Sequence, residues 1–152
     1  MSDLFEVNPF YEKIISDYLS NGFCIIDSWL TNEETTRLLK ELNHFYDADC
    51  FKKSAIGNRL NQNLERSIRN DFIFWLDETK HASVFFKKIN SFIDYLNKTC
   101  FAGIVTKEFH YAVYPQGSFY KKHIDTFQND DRRTISIVCY LNEIWNESFG
   151  GE

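Results

Sequence analysis

The sequence predicts an α+β fold, helical over its front two thirds and strand-and-turn behind, and three observations carry that prediction. Turn residues are unevenly spread: Gly103, Pro115, Gly117, Gly150 and Gly151 follow position 100, against Pro9, Gly22 and Gly57 before it. Apolar residues recur at helical spacing in three segments before Gly103. From Ile104 the period changes to two. At 152 residues the chain corresponds to one domain, on a scale of roughly 150 residues each. Residues 1–102 form its mainly helical support with short strands, and 103–152 its strand-rich part.

The first helix is expected from Asn8, a capping residue, with Pro9 at the first helical position. Phe10, Ile14, Tyr18 and Ile15, Leu19 then recur until Gly22 stops it. Phe23-Cys24-Ile25-Ile26 reads as a short apolar strand. Thr31-x-x-Glu34 is a capping box that opens a second helix carrying Leu38, Leu39, Leu42 and Phe45. Residues 47 to 63, polar and aperiodic, read as a long loop, and 68–76 as a strand-like segment ending in Trp75-Leu76. A third helix over 82–99 shows one wide apolar face with Phe85, Phe86, Ile89, Phe92, Ile93 and Leu96, suited to packing on a sheet. Behind it, Phe109, Tyr111 and Val113 share one strand face and His110, Ala112 and Tyr114 the other, up to the turn Pro115-Gln116-Gly117. Residues 135–141 alternate with apolar side chains on both faces, which predicts a strand covered on both sides, as in a sandwich or barrel.

Composition narrows the function. With 43% hydrophobic and 17% aromatic residues the chain is no disordered segment, and 17 basic against 22 acidic residues, net −5, oppose a phosphate-binding surface. No nucleic-acid or membrane partner is expected: no stretch approaches the roughly 18 apolar residues needed to span a bilayer. A cytoplasmic, reducing location follows, with Cys24, Cys50, Cys100 and Cys139 as free thiols, three of them buried.

The chemistry centres on His123 and Asp125. In an extended strand residues i and i+2 project to one side, so an imidazole nitrogen and a carboxylate oxygen can meet at one point, most of a metal site. Two histidines and one carboxylate are the ligand set of non-haem Fe(II) oxygenases. Alone, His-x-Asp is a weak signal, and a surface hydrogen-bonded pair is the simpler reading of it.

The surrounding residues are more specific. Tyr114-Pro115-Gln116-Gly117-Ser118-Phe119-Tyr120-Lys121-Lys122-His123-Ile124-Asp125, then Arg132-Arg133-Thr134-Ile135-Ser136, Tyr140-Leu141-Asn142, Trp145 and Gly150-Gly151-Glu152, resemble the 2-oxoglutarate and Fe(II)-dependent oxygenases of the prolyl 4-hydroxylase type. The closer likeness is to the Egl-nine or SM-20-like branch and its bacterial relatives. Ile68-Arg69-x-Asp71 with Trp75-Leu76 matches a further motif of that branch.

The resemblance implies a double-stranded β-helix (jelly roll, cupin-like) supported by N-terminal helices. It implies an iron-dependent dioxygenase, an oxidoreductase with Fe(II), 2-oxoglutarate and O2 as cofactors and ascorbate as an optional addition. His123 and Asp125 become metal ligands, and Tyr114 and Tyr140 line the 2-oxoglutarate pocket. Asp71 and Arg133 form an ion pair at the substrate rim. The reaction would couple decarboxylation of 2-oxoglutarate to succinate and CO2 with hydroxylation of a protein or peptide residue, foremost proline. His110, on the face of Tyr114, is read as a core or rim histidine. The family's second iron-binding His and its following Arg have no counterpart here, since no histidine follows His123. The last barrel strands are therefore expected to be missing from the chain, which taken by itself should bind iron poorly and be inactive. The alternative is a non-catalytic, degenerate oxygenase-fold module that binds protein without a complete metal site.

Overall fold

The computed structural model describes residues 6–54, 67–124 and 135–150. Three helices pack against a three-stranded antiparallel sheet of order β1-β2-β3. Helix α1 (Pro9–Asn21) begins where Asn8 accepts from the backbone of Phe10 and Tyr11, and it ends at Gly22 in the left-handed region, φ 78°. Helix α2 (Asn32–Asp47) opens on the expected capping box: the Glu34 backbone donates to Thr31 Oγ1 at 3.2 Å, and the Thr31 backbone to the Glu34 carboxylate at 2.8 Å. The predicted loop after it contains a two-residue edge strand, β1 (Lys52–Lys53).

Helix α3 (Ser83–Thr99) is the centre of the core. Its buried face of Phe85, Phe86, Ile89, Phe92, Tyr95 and Leu96 meets Tyr11 and Ile14 of α1 and Leu38 and Leu42 of α2. Its start has no side-chain cap of its own, and Ala82 before it sits at φ 47°. Glu41 of α2 supplies the missing acceptor, taking the Ala82 N–H at 2.7 Å and the Tyr111 hydroxyl at 3.0 Å. One carboxylate thus joins α2, α3 and the sheet. Burial, and then the Glu41 charge, push the Tyr111 phenol far above its usual range, so it stays a donor.

Strands β2 (Phe72–Trp75) and β3 (His110–Val113) pair Phe72 with Val113 and Trp75 with His110. The face alternation is as predicted: Tyr111 is buried, with Phe109 and Val113 packed on the core, while His110 and Ala112 are exposed. His110 lies against the Trp75 ring, centroids 5.0 Å apart, at the rim of the sheet.

Three expectations are corrected. Residues 23–26 form no strand: Cys24 and Ile26 touch the core, but Phe23 and Ile25 are exposed and no described strand pairs with them. Residues 135–141 likewise form no strand and are covered on one side only. Ile137, Cys139 and Leu141 pack on the core, while Val138 and Tyr140 are 72% and 63% exposed. An apolar alternation selects which side chains turn inward, but a strand needs a hydrogen-bonding partner, and none is present among the described residues. The cysteines are free, but none is buried: Cys24 and Cys139 are half-buried, Cys50 and Cys100 exposed.

Ile89 is fully enclosed, so Ile89→Ala should cost about 2–5 kcal/mol. Thr31→Ala, which removes the capping-box acceptor, should cost about 1 kcal/mol. Urea unfolding followed by circular dichroism measures both as lower midpoints at unchanged slope.

Candidate active site

Beyond the β2–β3 ladder the chain pairs once more, at an isolated antiparallel bridge between Arg69 and Tyr120. Between this bridge and the Phe72–Val113 pair, residues 70 and 71 on one strand face 114 to 119 on the other. The longer side leaves the ladder as a turn, held by Ser118 N–H to Pro115 O at 2.9 Å and by Phe119 N–H to the Asn70 side chain at 2.6 Å. The local departure brings Asp71, Tyr114 and Tyr120 together.

Asp71 has no exposed surface. Arg69 donates to it twice, Nε to Oδ1 at 2.9 Å and Nη2 to Oδ2 at 2.7 Å, a two-pronged geometry that fixes the guanidinium plane. Ser54 Oγ adds a bond to Oδ1 at 2.5 Å. Burial pushes the Asp71 carboxyl upward, but the hydrogen bonds from Arg69 and Ser54 and the Arg69 charge outweigh it and hold the group below the usual carboxylate range. Burial likewise lowers Arg69, and Asp71 more than restores it. Two opposite charges out of water, each hydrogen-bonded, depend on each other.

The Tyr114 hydroxyl faces this pair. Burial and then the nearby Asp71 carboxylate push the phenol up to about 12, with Arg69 opposing, so Tyr114 is a hydrogen-bond donor at neutral pH. Tyr120 lies on the Arg69 guanidinium, 4.1 Å from guanidinium carbon to ring centroid, and the His123 imidazole stacks on Tyr120 with centroids 3.6 Å apart and planes at 18°. His123 Nδ1 is 2.8 Å from the Lys121 carbonyl. A carbonyl only accepts, so Nδ1 carries the proton, the arrangement found in metal-binding histidines that ligate through Nε2 while a carbonyl holds their other nitrogen.

Of the six site residues read from the sequence, Asp71 and Tyr114 are in direct proximity, and His123 is joined to them through Tyr120 and Arg69. Tyr140 stands on the outward side of residues 135–141 with Ser136 and Val138. Asp125 and Arg133 lie outside the described residues. Asp71 is paired with Arg69, and its expected pairing with Arg133 lies outside the described residues. Arg69, Ser54 and Tyr120 were given no role by the sequence reading. Arg69-x-Asp71 carries a usable signal, since the spacing that lets His123 and Asp125 converge also puts Arg69 and Asp71 on one strand side. Ser54, in a polar loop 17 positions away, carries none.

For a divalent metal, the tautomer of His123 fits a ligand. Among the described residues no three His, Cys, Asp or Glu side chains gather about one point. No helix among them is long and apolar enough to cross a membrane.

Fold and sequence are both similar to those of 2-oxoglutarate oxygenases of the prolyl hydroxylase type. Residues 109–152, which contain the Tyr114-to-His123 segment, match the 2OG-Fe(II) oxygenase superfamily model. Among individual relatives, human Egl nine homolog 1 is 23% identical over 147 residues, covering 92% of this chain and 34% of that protein. Human prolyl hydroxylase EGLN3 is 25% identical over 152 residues, covering 92% and 63%. The crystal structure of a Pseudomonas putida prolyl-4-hydroxylase superposes with a TM-score of 0.79 at 27% identity, over 91% of this chain and 71% of that one. A Trichoplax adhaerens prolyl hydroxylase in complex with a hypoxia inducible factor peptide fragment shares the fold, TM-score 0.59 at 24% identity, over 76% and 55%. The chain therefore spans about a third of Egl nine homolog 1 and under two thirds of EGLN3.

Asp71→Asn strands the Arg69 charge and should destabilise the fold by about 3–5 kcal/mol. Because the folded-state Asp71 pKa is depressed, its stabilisation is fully present above the unfolded value of about 4 and is lost as pH falls through the folded one. Urea midpoints taken from pH 6 down to pH 2 should fall more steeply for the native protein than for Asp71→Asn, the two curves converging at the acid end.

Proposed function

We propose that the chain belongs to an Fe(II)- and 2-oxoglutarate-dependent dioxygenase that hydroxylates a protein residue, foremost proline, in the cytoplasm. Succinate and CO2 are the accompanying products. The observation that supports it best is the likeness to prolyl hydroxylases over nine tenths of the chain, combined with an imidazole tautomer suited to metal binding at His123.

On this reading His123 and Asp125 supply two metal ligands. Bound iron with 2-oxoglutarate and O2 would supply the oxidation of a C–H bond. The chain's own residues do the rest. Tyr114, held protonated, and Tyr140 donate to carboxylate oxygens of 2-oxoglutarate. Arg133 acts at the substrate rim, and Asp71, closed to solvent, shapes that rim from beneath through Arg69. The substrate is a protein or peptide carrying proline, by analogy with relatives named prolyl hydroxylases.

The test is succinate formation by the full-length encoded protein with Fe(II), 2-oxoglutarate and proline-containing peptides. The proposal expects peptide-dependent succinate and at least a hundredfold loss in His123→Ala, on the scale of lost transition-state stabilisation. Full activity in His123→Ala defeats the ligand assignment. A full-length protein that binds such peptides but forms no succinate is the non-catalytic module instead.

A further inference from the structure

The Arg69-Asp71 pair, Tyr120 and His123 form a continuous stack, in which Tyr120 has no part in the chemistry assigned above. Asp71 holds Arg69 by two bonds, so the guanidinium cannot rotate without breaking one. The backbone bridge of Arg69 to Tyr120, with Lys121 N–H to Ile68 O at 2.9 Å, fixes the two residues side by side. The guanidinium carbon stands 4.1 Å from the Tyr120 ring centre and the imidazole centre 3.6 Å from it. Two planar groups cannot share one ring face at those separations, so Tyr120 is held between them. For the imidazole, the stack restrains tilt out of the ring plane and the Nδ1 bond to Lys121 O restrains rotation within it. Both side-chain torsions of His123 are thereby set, although the residue is exposed.

We infer that Tyr120 is a positioning residue: clamped on one face by the Asp71-anchored Arg69, it presents its other face as a platform that orients His123 Nε2 toward the metal. The inference rests on the reading of His123 as a metal ligand. The aromatic face does the work, and the Tyr120 hydroxyl is dispensable. Partners that orient a ligating histidine typically change metal affinity ten- to a hundredfold when removed.

The experiment uses the full-length protein in two measurements. In the metal-free protein, NMR of the His123 ring protons should show upfield ring-current shifts and cross-relaxation to the Tyr120 ring, kept in Tyr120→Phe and lost in Tyr120→Leu. Mn(II) titration should give native affinity for Tyr120→Phe and about ten- to a hundredfold weaker binding for Tyr120→Leu, with Arg69→Lys, which lacks the planar fork, in between. The inference is overturned if Tyr120→Leu binds Mn(II) as tightly as the native protein while His123→Ala does not, or if Tyr120→Phe weakens binding as much as Tyr120→Leu. If His123→Ala itself leaves Mn(II) affinity intact, the ligand reading has failed and the inference falls with it. Should Tyr120→Leu not fold, random-coil ring-proton shifts for His123 in the native protein overturn the inference and upfield shifts sustain it.

Discussion

The buried pairing of Asp71 with Arg69 is the constraint on which the candidate site depends. A carboxylate with no access to water exists in charged form only where its partners replace hydration, and here the guanidinium and the Ser54 hydroxyl do so. Each partner is in turn immobilised. Ser54 N–H donates to the Asp71 carbonyl while its hydroxyl serves the carboxylate, which ties the segment after β1 to the segment before β2. The guanidinium becomes a flat surface at a fixed height, on which Tyr120 rests. A weak, non-directional stack gains its definition from a strong, directional pair below it.

The helical layer supports this from the other side of the sheet. Tyr111 points toward the helices and the neighbouring Tyr114, three residues on, toward Asp71, an alternation that β3 enforces by its pleat. The Glu41 carboxylate accepts from both Tyr111 and Ala82, so the sheet's position relative to α2 and α3 is set by hydrogen bonds as well as by the aromatic packing of Phe109 on Phe85 and Phe86. The left-handed Ala82 is tolerated because its N–H is satisfied at a distance of 41 positions in sequence.

What was legible in the sequence follows the range of the interactions. The helices were readable to within a residue or two because Asn8, Gly22 and the Thr31–Glu34 pair act within a single turn, and the 3.6 period of α3 needs no knowledge of its partner. Residues 23–26 and 135–141 were misread as strands because strand formation is a property of two segments, and inward-outward alternation arises equally from a chain lying along a core. Arg69 was missed as a partner of Asp71 for a related reason: family motif order directed attention to the distant Arg133, whereas two residues of separation already place Arg69 within reach. Tyr120 was visible as a motif member, but its place between a guanidinium and an imidazole depends on two distant segments brought together by the bridge at Arg69.

The six-against-two departure from the ladder also bears on how such a chain can change in length. Register on one side of the turn is set by the Phe72–Val113 pair and on the other by Asn70 N–H to Phe119 O, 3.1 Å, and the Arg69–Tyr120 bridge. Neither anchor passes through Gln116 or Gly117, which form the exposed tip. A residue inserted or deleted at that tip would be absorbed there, leaving Tyr114 and Tyr120 on their original neighbours. Homologous chains can therefore differ in the span between these two tyrosines while keeping the same three-dimensional site, and alignments that enforce constant spacing across the turn will misassign one of them.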